Sequence, residues 1–285
     1  MGKQGCVVKH FSIVKLNDCR TQMMSLTFLI VASLLQGLLE WLPVSSEGQN
    51  VLFLISLIGD PELALSLSLF LHLGTACTVL VYYRHLVVKL ITSNAPTQKI
   101  GDLRRILVFV TLGTGFSGVI LFIYFLDLVG AYSGSVIMGL VGILLIVTAS
   151  ILYFSKRMGG KRRFHQLSNY EAVILGIIQG IAVLPGISRS GLTIAALLWL
   201  RNDQENALFG SFLMSIPASF GVVFLEAVTG TLPSLRFWQI LLTLALTFVT
   251  GYLSMDFLLR LSRRMNFPLF CLLLGLIALI LNVPY

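Results

Sequence analysis

Residues 36–49, which read QGLLEWLPVSSEGQ, interrupt an apolar run with a proline, two serines and two glutamates. Apolar residues resume after them, so residues 23–58 have the pattern of an apolar helix that is broken in its middle. Non-helical backbone at membrane depth is tolerated only where protein or a water-filled cavity satisfies its polar groups. We therefore predict that residues 23–58 form a re-entrant helix-loop-helix hairpin that lines a cavity.

The same pattern recurs 143 positions later, where residues 179–191 read QGIAVLPGISRSG. Ser45 matches Ser188 at this offset, and the proline is displaced by only one residue. The repeat predicts a second re-entrant hairpin at residues 171–200. The chain therefore contains an internal duplication.

The composition is that of a membrane protein. Residues of the AVILMFWYC set make up 56% of the chain and charged residues 11%, whereas a soluble domain has about 25% charged residues. This excludes a soluble enzyme and a disordered tail. A helix of about 20 residues crosses a hydrocarbon core of about 30 Å. Six apolar runs are long enough to be predicted as spanning helices, at residues 66–83, 106–126, 133–154, 207–225, 237–259 and 267–283.

The order of these segments predicts an inverted-topology repeat in an all-α polytopic fold. Each half contains one hairpin followed by three spanning helices, the first half at residues 23–154 and the second at residues 171–285. Because three is odd, the second hairpin enters the membrane from the opposite face. In such folds the broken helices meet near the midplane, where substrate binds. A basic tail at residues 1–22 and a basic loop at residues 155–170 complete the chain.

Basic residues predict the orientation of the chain. Fourteen Lys and Arg residues fall on one predicted face and five on the other, with Arg189 inside the second loop. The face with fourteen is predicted to be cytoplasmic, which places both termini outside. Four of the five lie in the N-terminal tail, and they are lost if translation starts at Met23 or Met24, which is the alternative start. Since the basic residues cluster in loops, we expect no nucleic-acid partner.

The first loop contains carboxylate side chains that are candidates for a functional site. Gln36 and Glu40 are four residues apart, so they share one helix face. An ionisable side chain inside an apolar hairpin is a functional candidate, although Glu40 paired with Arg189 for structure is the alternative. Glu40 and Glu47 could bind a divalent cation, Mg²⁺ or Ca²⁺, through carboxylate oxygens.

The second loop has complementary chemistry. Gly191 lets the backbone approach a ligand closely, Ser188 and Ser190 provide hydroxyl groups, and Arg189 provides a planar fork that suits phosphate. A helix begins at this loop with Thr193 in its first turn, so free backbone N–H groups point at the ligand. The loop is therefore predicted to bind an anion. Together the two loops fit phosphoryl transfer from a lipid-linked phosphate.

At these residues the chain resembles the undecaprenyl-diphosphate phosphatase family of the bacitracin-resistance type. The resemblance rests on residues 36–48, on FLHLG at 70–74 and on LPGISRSGLT at 184–193, and it extends from about residue 24 over nearly the whole chain. It implies that a polyprenyl diphosphate is converted to the monophosphate, which recycles the lipid that carries glycans to the cell surface. It also implies a divalent metal requirement and a cell-membrane site that opens towards the outer face.

The resemblance also assigns roles to residues. It makes Ser46 the nucleophile and Arg189 the residue that holds the diphosphate, while Glu40 or Glu47 activating a water molecule fits the residues equally well. The expected catalytic residues are Glu40, Ser46 and Arg189. The expected substrate-binding residues are Gln36, Ser45, Gln49, Ser188, Ser190, Gly191 and Thr193.

Three positions depart from the family pattern and indicate a divergent member. Gln36 stands where the family usually has a glutamate, and Gln49 stands where it usually has a histidine. Glu47 stands where the family commonly has a threonine, so it is a candidate to restore a lost function. His72 is a candidate for the missing base, with a hydrogen-bonded structural histidine as the alternative reading.

Two other functions fit the same residues. A transporter or flippase for a polyprenyl phosphate lipid would use the same cavity, because inverted repeats around broken helices are typical of transporters. A phosphatase for shorter isoprenoid diphosphates or diacylglycerol diphosphate is the third reading. The expected partners are a polyprenyl diphosphate and the bilayer, and the sequence leaves open whether the protein forms a homo-oligomer.

Overall fold

The computed structural model describes residues 26–93, 97–155, 158–262 and 267–281 of the 285-residue chain. These residues form helices joined by short connections, which confirms the all-α prediction. The described helices are α1 (Leu26–Leu39), α2 (Ser46–Ile58), α3 (Pro61–Tyr82), α4 (Arg84–Thr92), α5 (Gln98–Ala131), α6 (Gly134–Ser155), α7 (Asn169–Ile181), α8 (Arg189–Trp199), α9 (Gln204–Thr229), α10 (Phe237–Ser262) and α11 (Phe267–Leu281). The tail predicted at residues 1–22 lies outside the described residues.

The long helices confirm a multi-pass membrane protein. Among the described helices, five are long and apolar enough to cross a bilayer, namely α3, α5, α6, α9 and α10. The sixth predicted span coincides with α11, which has 15 described residues and is shorter than the roughly 20 that an upright spanning helix needs.

Several helices extend beyond the predicted apolar runs. Helix α3 begins at Pro61 because Asp60 caps it, accepting a hydrogen bond from Leu63 N at 3.0 Å, and because proline suits the first helical position. Helix α5 contains 34 residues and includes polar residues of the preceding basic segment. Apolar runs therefore located the membrane-depth parts of these helices and missed their polar ends.

Both sequence motifs interrupt a helix. Residues 40–45 separate α1 from α2, and residues 182–188 separate α7 from α8. Each following helix is capped by the matching serine. Ser45 Oγ accepts from Gly48 N at 3.2 Å, and Ser188 Oγ accepts from Gly191 N at 3.1 Å. The matching serine therefore caps the following helix in the same way in both halves.

The helix packing also follows the duplication. Helix α1 packs along α10 as α7 packs along α5, while α3 packs on α9 and α6 packs on α11. Gly37 and Gly180 are matching positions, and both lie at these close contacts. A Cβ at Gly37 would lie 2.8 Å from Thr247 O, and one at Gly180 would lie 2.7 Å from Gly118 N. Such packing is what a two-fold related pair of repeats requires, and their inverted orientation across the membrane stays a prediction.

Candidate functional site

The two loops are hydrogen-bonded to each other. Ser45 Oγ accepts from Gly186 N in the second loop at 3.2 Å, in addition to capping its own helix. Ser190 Oγ donates to Leu42 O in the first loop at 3.1 Å. Ser45 itself has a left-handed backbone, with φ 58°, which is uncommon for a residue other than glycine. The first and second halves therefore form one polar junction.

Glycines make this junction possible. A Cβ at Gly48 would lie 2.8 Å from Gly186 N, and Gly186 itself has a φ of 100°. Thr148 on α6 supports the second loop, since its Oγ1 donates to Gly186 O at 3.0 Å and accepts from Ser188 N at 3.2 Å. Sequence reasoning missed Thr148, because a single hydroxyl within an apolar helix carries no motif.

Glu40 lies at the centre of the junction and is 4% exposed. One oxygen, Oε2, accepts from Ser46 Oγ and from Gln36 Nε2, both at 2.7 Å. The other oxygen, Oε1, accepts from Arg189 Nη2. His72 Nε2 lies 3.5 Å from Oε2. A carboxylate that accepts a serine O–H is placed to take its proton, and the arginine stabilises the negative charge.

Two further residues orient this centre. Asn50 Nδ2 donates to Gln36 Oε1 at 3.0 Å, which fixes the amide of Gln36 with its N–H towards Glu40. His72 Nδ1 lies 3.1 Å from Ser68 O, and because a carbonyl only accepts, Nδ1 is the donor. In the neutral ring, Nε2 is then a free acceptor on the side of Glu40. Asn50 was not predicted, since a buried asparagine has no sequence signature of its own.

Arg189 retains unused hydrogen-bonding capacity. It is the first residue of α8, and its Nε and Nη1 atoms are buried without a hydrogen-bond partner in the part of the chain that the structure describes. Buried N–H groups of this kind are costly unless a ligand satisfies them. They border a cavity of about 20 Å³ lined by Glu40, Ser45, Ser46, Glu47, His72, Ile187, Ser188, Arg189 and Ser190. Unpaired guanidinium N–H groups beside this cavity fit the predicted binding of an anion, which stays a prediction.

A larger apolar cavity of about 300 Å³ adjoins this small polar cavity. It lies between α5 and α9 and shares Glu47, His72 and Arg189 with the smaller cavity. Its walls include Thr111 on α5 and Phe224 on α9, both exposed on the surface of the helix bundle. The cavity therefore joins the lipid-facing surface to the polar junction.

The structure brings most of the predicted site residues together. The small cavity is lined by Glu40, Ser45, Ser46, Glu47, Ser188, Arg189 and Ser190, and Gln36 lies behind Glu40. Two of the other residues lie elsewhere. Gln49 donates to Val44 O at 2.9 Å, and Thr193 Oγ1 lies 2.7 Å from Ser211 Oγ, where it joins α8 to α9. Neither lines either of the two cavities described above, so their substrate-binding roles stay predictions, as do the roles of the residues that converge.

The acidic residues fit a divalent ion only in part. Both oxygens of Glu40 are already engaged, by Ser46, Gln36 and Arg189, whereas Glu47 Oε1 is buried without a partner among the described atoms. Within residues 26–281 as described, no group of three or more His, Cys, Asp and Glu side chains is placed to hold a metal. Mg²⁺ is usually held by one or two carboxylates together with substrate phosphates, and Glu47 fits that arrangement.

Fold and geometry together define a polytopic helical membrane protein with a buried polar junction at the end of an apolar cavity. The chain belongs to the family of the bacitracin resistance protein BacA, which matches residues 29–280. The undecaprenyl-diphosphatase of Methanothrix thermoacetophila is 39% identical over 255 residues, covering 89% of this chain and 95% of the relative. The undecaprenyl-diphosphatases of Haloarcula marismortui, 35% identical over 86% of this chain and 93% of the relative, and of Syntrophotalea carbinolica, 34% identical over 88% and 97%, are similar as well.

Proposed function

We propose that this protein hydrolyses a polyprenyl diphosphate of the undecaprenyl type to the monophosphate and inorganic phosphate, recycling the glycan carrier lipid. The observation that carries the proposal is the arrangement of Ser46, Glu40 and Arg189. The serine hydroxyl donates to a carboxylate that is held by an arginine whose Nε and Nη1 atoms have no hydrogen-bond partner among the described residues. The names of the similar proteins support the same substrate.

Substrate binding uses both cavities. Arg189 binds the diphosphate through its unpaired N–H groups, with Ser188 and Ser190 lining the same small cavity. The first turn of α8 adds a favourable helix dipole for the negative charge. The apolar cavity between α5 and α9 accepts the first isoprene units, and its exposed side lets the rest of the tail remain among the lipids.

Chemistry begins at Ser46. Its Oγ attacks the terminal phosphorus while its proton moves to Glu40 Oε2, the atom it already hydrogen-bonds at 2.7 Å. The bond between this phosphorus and the bridging oxygen breaks, and the prenyl monophosphate leaves with the bonding electron pair. Water then attacks the phosphoserine and releases inorganic phosphate. Direct attack by a water molecule that Glu40 or Glu47 activates is the alternative.

The proton taken by Glu40 has a path out of the centre. His72 Nε2 lies 3.5 Å from Glu40 Oε2, and its Nδ1 is held by the Ser68 carbonyl. His72 can therefore receive the proton and return it to the phosphate product. This role replaces the histidine that Gln49 displaced in the first loop.

A divalent ion, Mg²⁺ or Ca²⁺, would neutralise charge on the phosphoryl oxygens when bound. Glu47 would hold it, since one of its oxygens is unpaired. Glu40, the other predicted ligand, serves the serine and the arginine instead. The site would open towards the outer face of the cell membrane, a proposal supported by the fourteen-to-five asymmetry of basic residues.

The test is phosphate release by the detergent-purified protein from a long-chain polyprenyl diphosphate, with and without divalent metal. We expect metal-dependent release that is lost in Arg189→Ala. Absence of release with every metal tried would contradict the proposal. Ser46→Ala separates it from a transporter, since a transporter needs no nucleophile and should still move the lipid in vesicles.

A further inference from the structure

The larger cavity is open on one side, between two membrane-spanning helices. Among the described residues that line it, four are exposed on the surface of the bundle, namely Thr111 and Gly115 on α5 and Gly221 and Phe224 on α9. All four fall within the predicted spans at 106–126 and 207–225. The cavity therefore opens sideways, towards the lipid, and we call the rim formed by these four residues the lateral mouth.

Helix packing does not explain the two glycines of the lateral mouth. A Cβ at Gly115 or at Gly221 would meet no atom of the described residues within 4 Å, whereas one at Gly118, deeper in the same cavity, would lie 3.7 Å from Gly180 Cα. Glycine weakens a helix interior relative to alanine. Pro217, one turn before Gly221, also lines the cavity and lacks a backbone N–H. Both helices thus sacrifice helix stability where the mouth is open.

Polar atoms without a partner lie at the inner end of the cavity. Arg189 Nε and Nη1 and Gln179 Oε1 are buried without a hydrogen-bond partner among the described residues, and both side chains line the cavity. Gln179 is 3% exposed, and its Nε2 donates to Thr114 Oγ1, so its oxygen is left for a ligand. A polar head at this end and an apolar body towards the mouth describe an amphiphile. Since its tail stays in the bilayer, such a ligand reaches this position only from the side.

The size of the cavity limits how much of the tail it holds. Its volume of about 300 Å³ is at the lower end of the range of small-molecule pockets, about 300–1,000 Å³. The isoprene units next to the phosphate fill this space, and the rest of a long polyprenyl chain has to pass between α5 and α9. We propose that Gly115 and Gly221 form a lateral portal for the tail and determine the preference for long-chain polyprenyl phosphates. The identity of this ligand rests on the proposed function.

The experiment narrows the portal and compares two tail lengths. Gly115→Leu and Gly221→Leu are assayed for phosphate release from a long-chain polyprenyl diphosphate and from geranyl diphosphate, whose short tail ends inside the cavity. We expect the ratio of kcat/KM, long over short, to fall by at least about tenfold in each variant. Gly101→Leu is the matched control on α5, because a Cβ there also has open space and Gly101 lines neither cavity. Its ratio should equal that of the wild type.

Two further measurements separate the portal from a loss of fold and from a failure of hydrolysis. Thermal unfolding midpoints of the leucine variants should be no lower than that of the wild type, because the added side chains start in open space. If a leucine variant does not fold, alanine at the same position should give a smaller change of the ratio in the same direction. Binding of long-chain polyprenyl monophosphate and of geranyl monophosphate, followed as a rise in the midpoint, should show the same selective loss without any hydrolysis.

The outcomes distinguish the portal from the proposed function. Wild-type ratios in both glycine variants, in release and in binding, would overturn the portal, while phosphate release by the wild type would still support the proposed function. A wild type that releases no phosphate, with a selective loss of long-chain binding in the variants, would overturn hydrolysis and support the portal. Binding of neither monophosphate by the wild type would also overturn the portal.

Discussion

The two loops have matching sequences but present different chemical groups to the same carboxylate. Ser46 and Arg189 occupy matching positions, each as the first residue of the helix that follows its loop. The first position presents a hydroxyl to a carboxylate, and the second presents a guanidinium to the same carboxylate. A single residue at the same place in each loop therefore gives the first half a hydroxyl and the second half a cationic guanidinium, both directed at Glu40.

The matching glutamines show the same divergence. Gln36 donates to Glu40 and accepts from Asn50, so it belongs to the polar centre. Gln179 donates to Thr114 Oγ1 at 3.0 Å, so it joins α7 to α5 instead. An identical side chain at an equivalent place thus holds Glu40 in one half and joins two helices in the other.

The largest effect on phosphate release should come from removing the hydroxyl of Ser46, which follows the first loop. Ser46→Ala is expected to lower phosphate release by about 10³-fold or more, on the scale of losing a nucleophile, while binding of the lipid diphosphate is retained. Steady-state phosphate release and substrate binding are measured side by side. Ser56→Ala on the same helix is the control, because Ser56 is exposed. Near-normal release from Ser46→Ala would favour a water nucleophile.

Activity should also depend on the planar shape of the Arg189 guanidinium, in addition to its positive charge. Arg189→Lys keeps the positive charge but loses the planar fork, so kcat/KM should fall by about 10²-fold. The same assay measures this loss, with Arg201→Lys, an exposed residue two positions beyond the end of α8, as the control. An Arg189→Lys enzyme that retains most of its activity would show that Arg189 contributes only its positive charge.

The packing of the two halves can be compared through the matching glycines of α1 and α7. Gly180→Ala should destabilise the protein by about 1–3 kcal/mol, because the added Cβ meets the backbone of α5. Gly37→Ala should behave alike, since its Cβ would meet the backbone of α10. Thermal unfolding in detergent measures both. Gly101→Ala is the control, because a Cβ there has open space. Tolerance of one substitution alone would show that the halves pack differently.

The smallest effect should arise outside the membrane, where Arg162 anchors the start of α7. Its two hydrogen bonds to Glu171, at 2.5 and 2.7 Å, hold the pKa of Glu171 at about 2, below the ordinary 4.5. The stability from this pair is present above pH 4.5 and is lost as the pH falls towards 2. Arg162→Gln should therefore cost about 1 kcal/mol or less at neutral pH, and the difference should shrink at acid pH. A cost independent of pH would assign the effect to packing.

Sequence reasoning located the site because its polar residues interrupt apolar helices. Proline, glycine and paired serines mark a break wherever they occur in such a run, so residues 40–45 and 182–188 could be found without coordinates. The pairing of Glu40 with Arg189 was one of two readings, and the structure shows that it coexists with the Ser46 contact.

The residues that were missed lie within continuous helices. Thr148, Asn50 and Glu226 break no helix, and only the packing of other helices turns them inwards. The predicted span at 207–225 stopped one residue before Glu226, whereas α9 continues to Thr229 and Glu226 is buried. A pattern of apolar residues indicates which part of a helix lies at membrane depth. It does not indicate which neighbouring helices pack against it.

The hydrogen bond between Ser45 and Gly186 has a consequence for biosynthesis. The first loop emerges from the ribosome long before its partner loop is translated, and α1 meets α10 only after most of the chain has been made. The amino-terminal half inserted alone therefore has Ser46, the proposed nucleophile, without Arg189 of the second loop. The proposed phosphatase activity should therefore appear only when the second hairpin packs against the first. A partly inserted chain should not hydrolyse the lipid diphosphate.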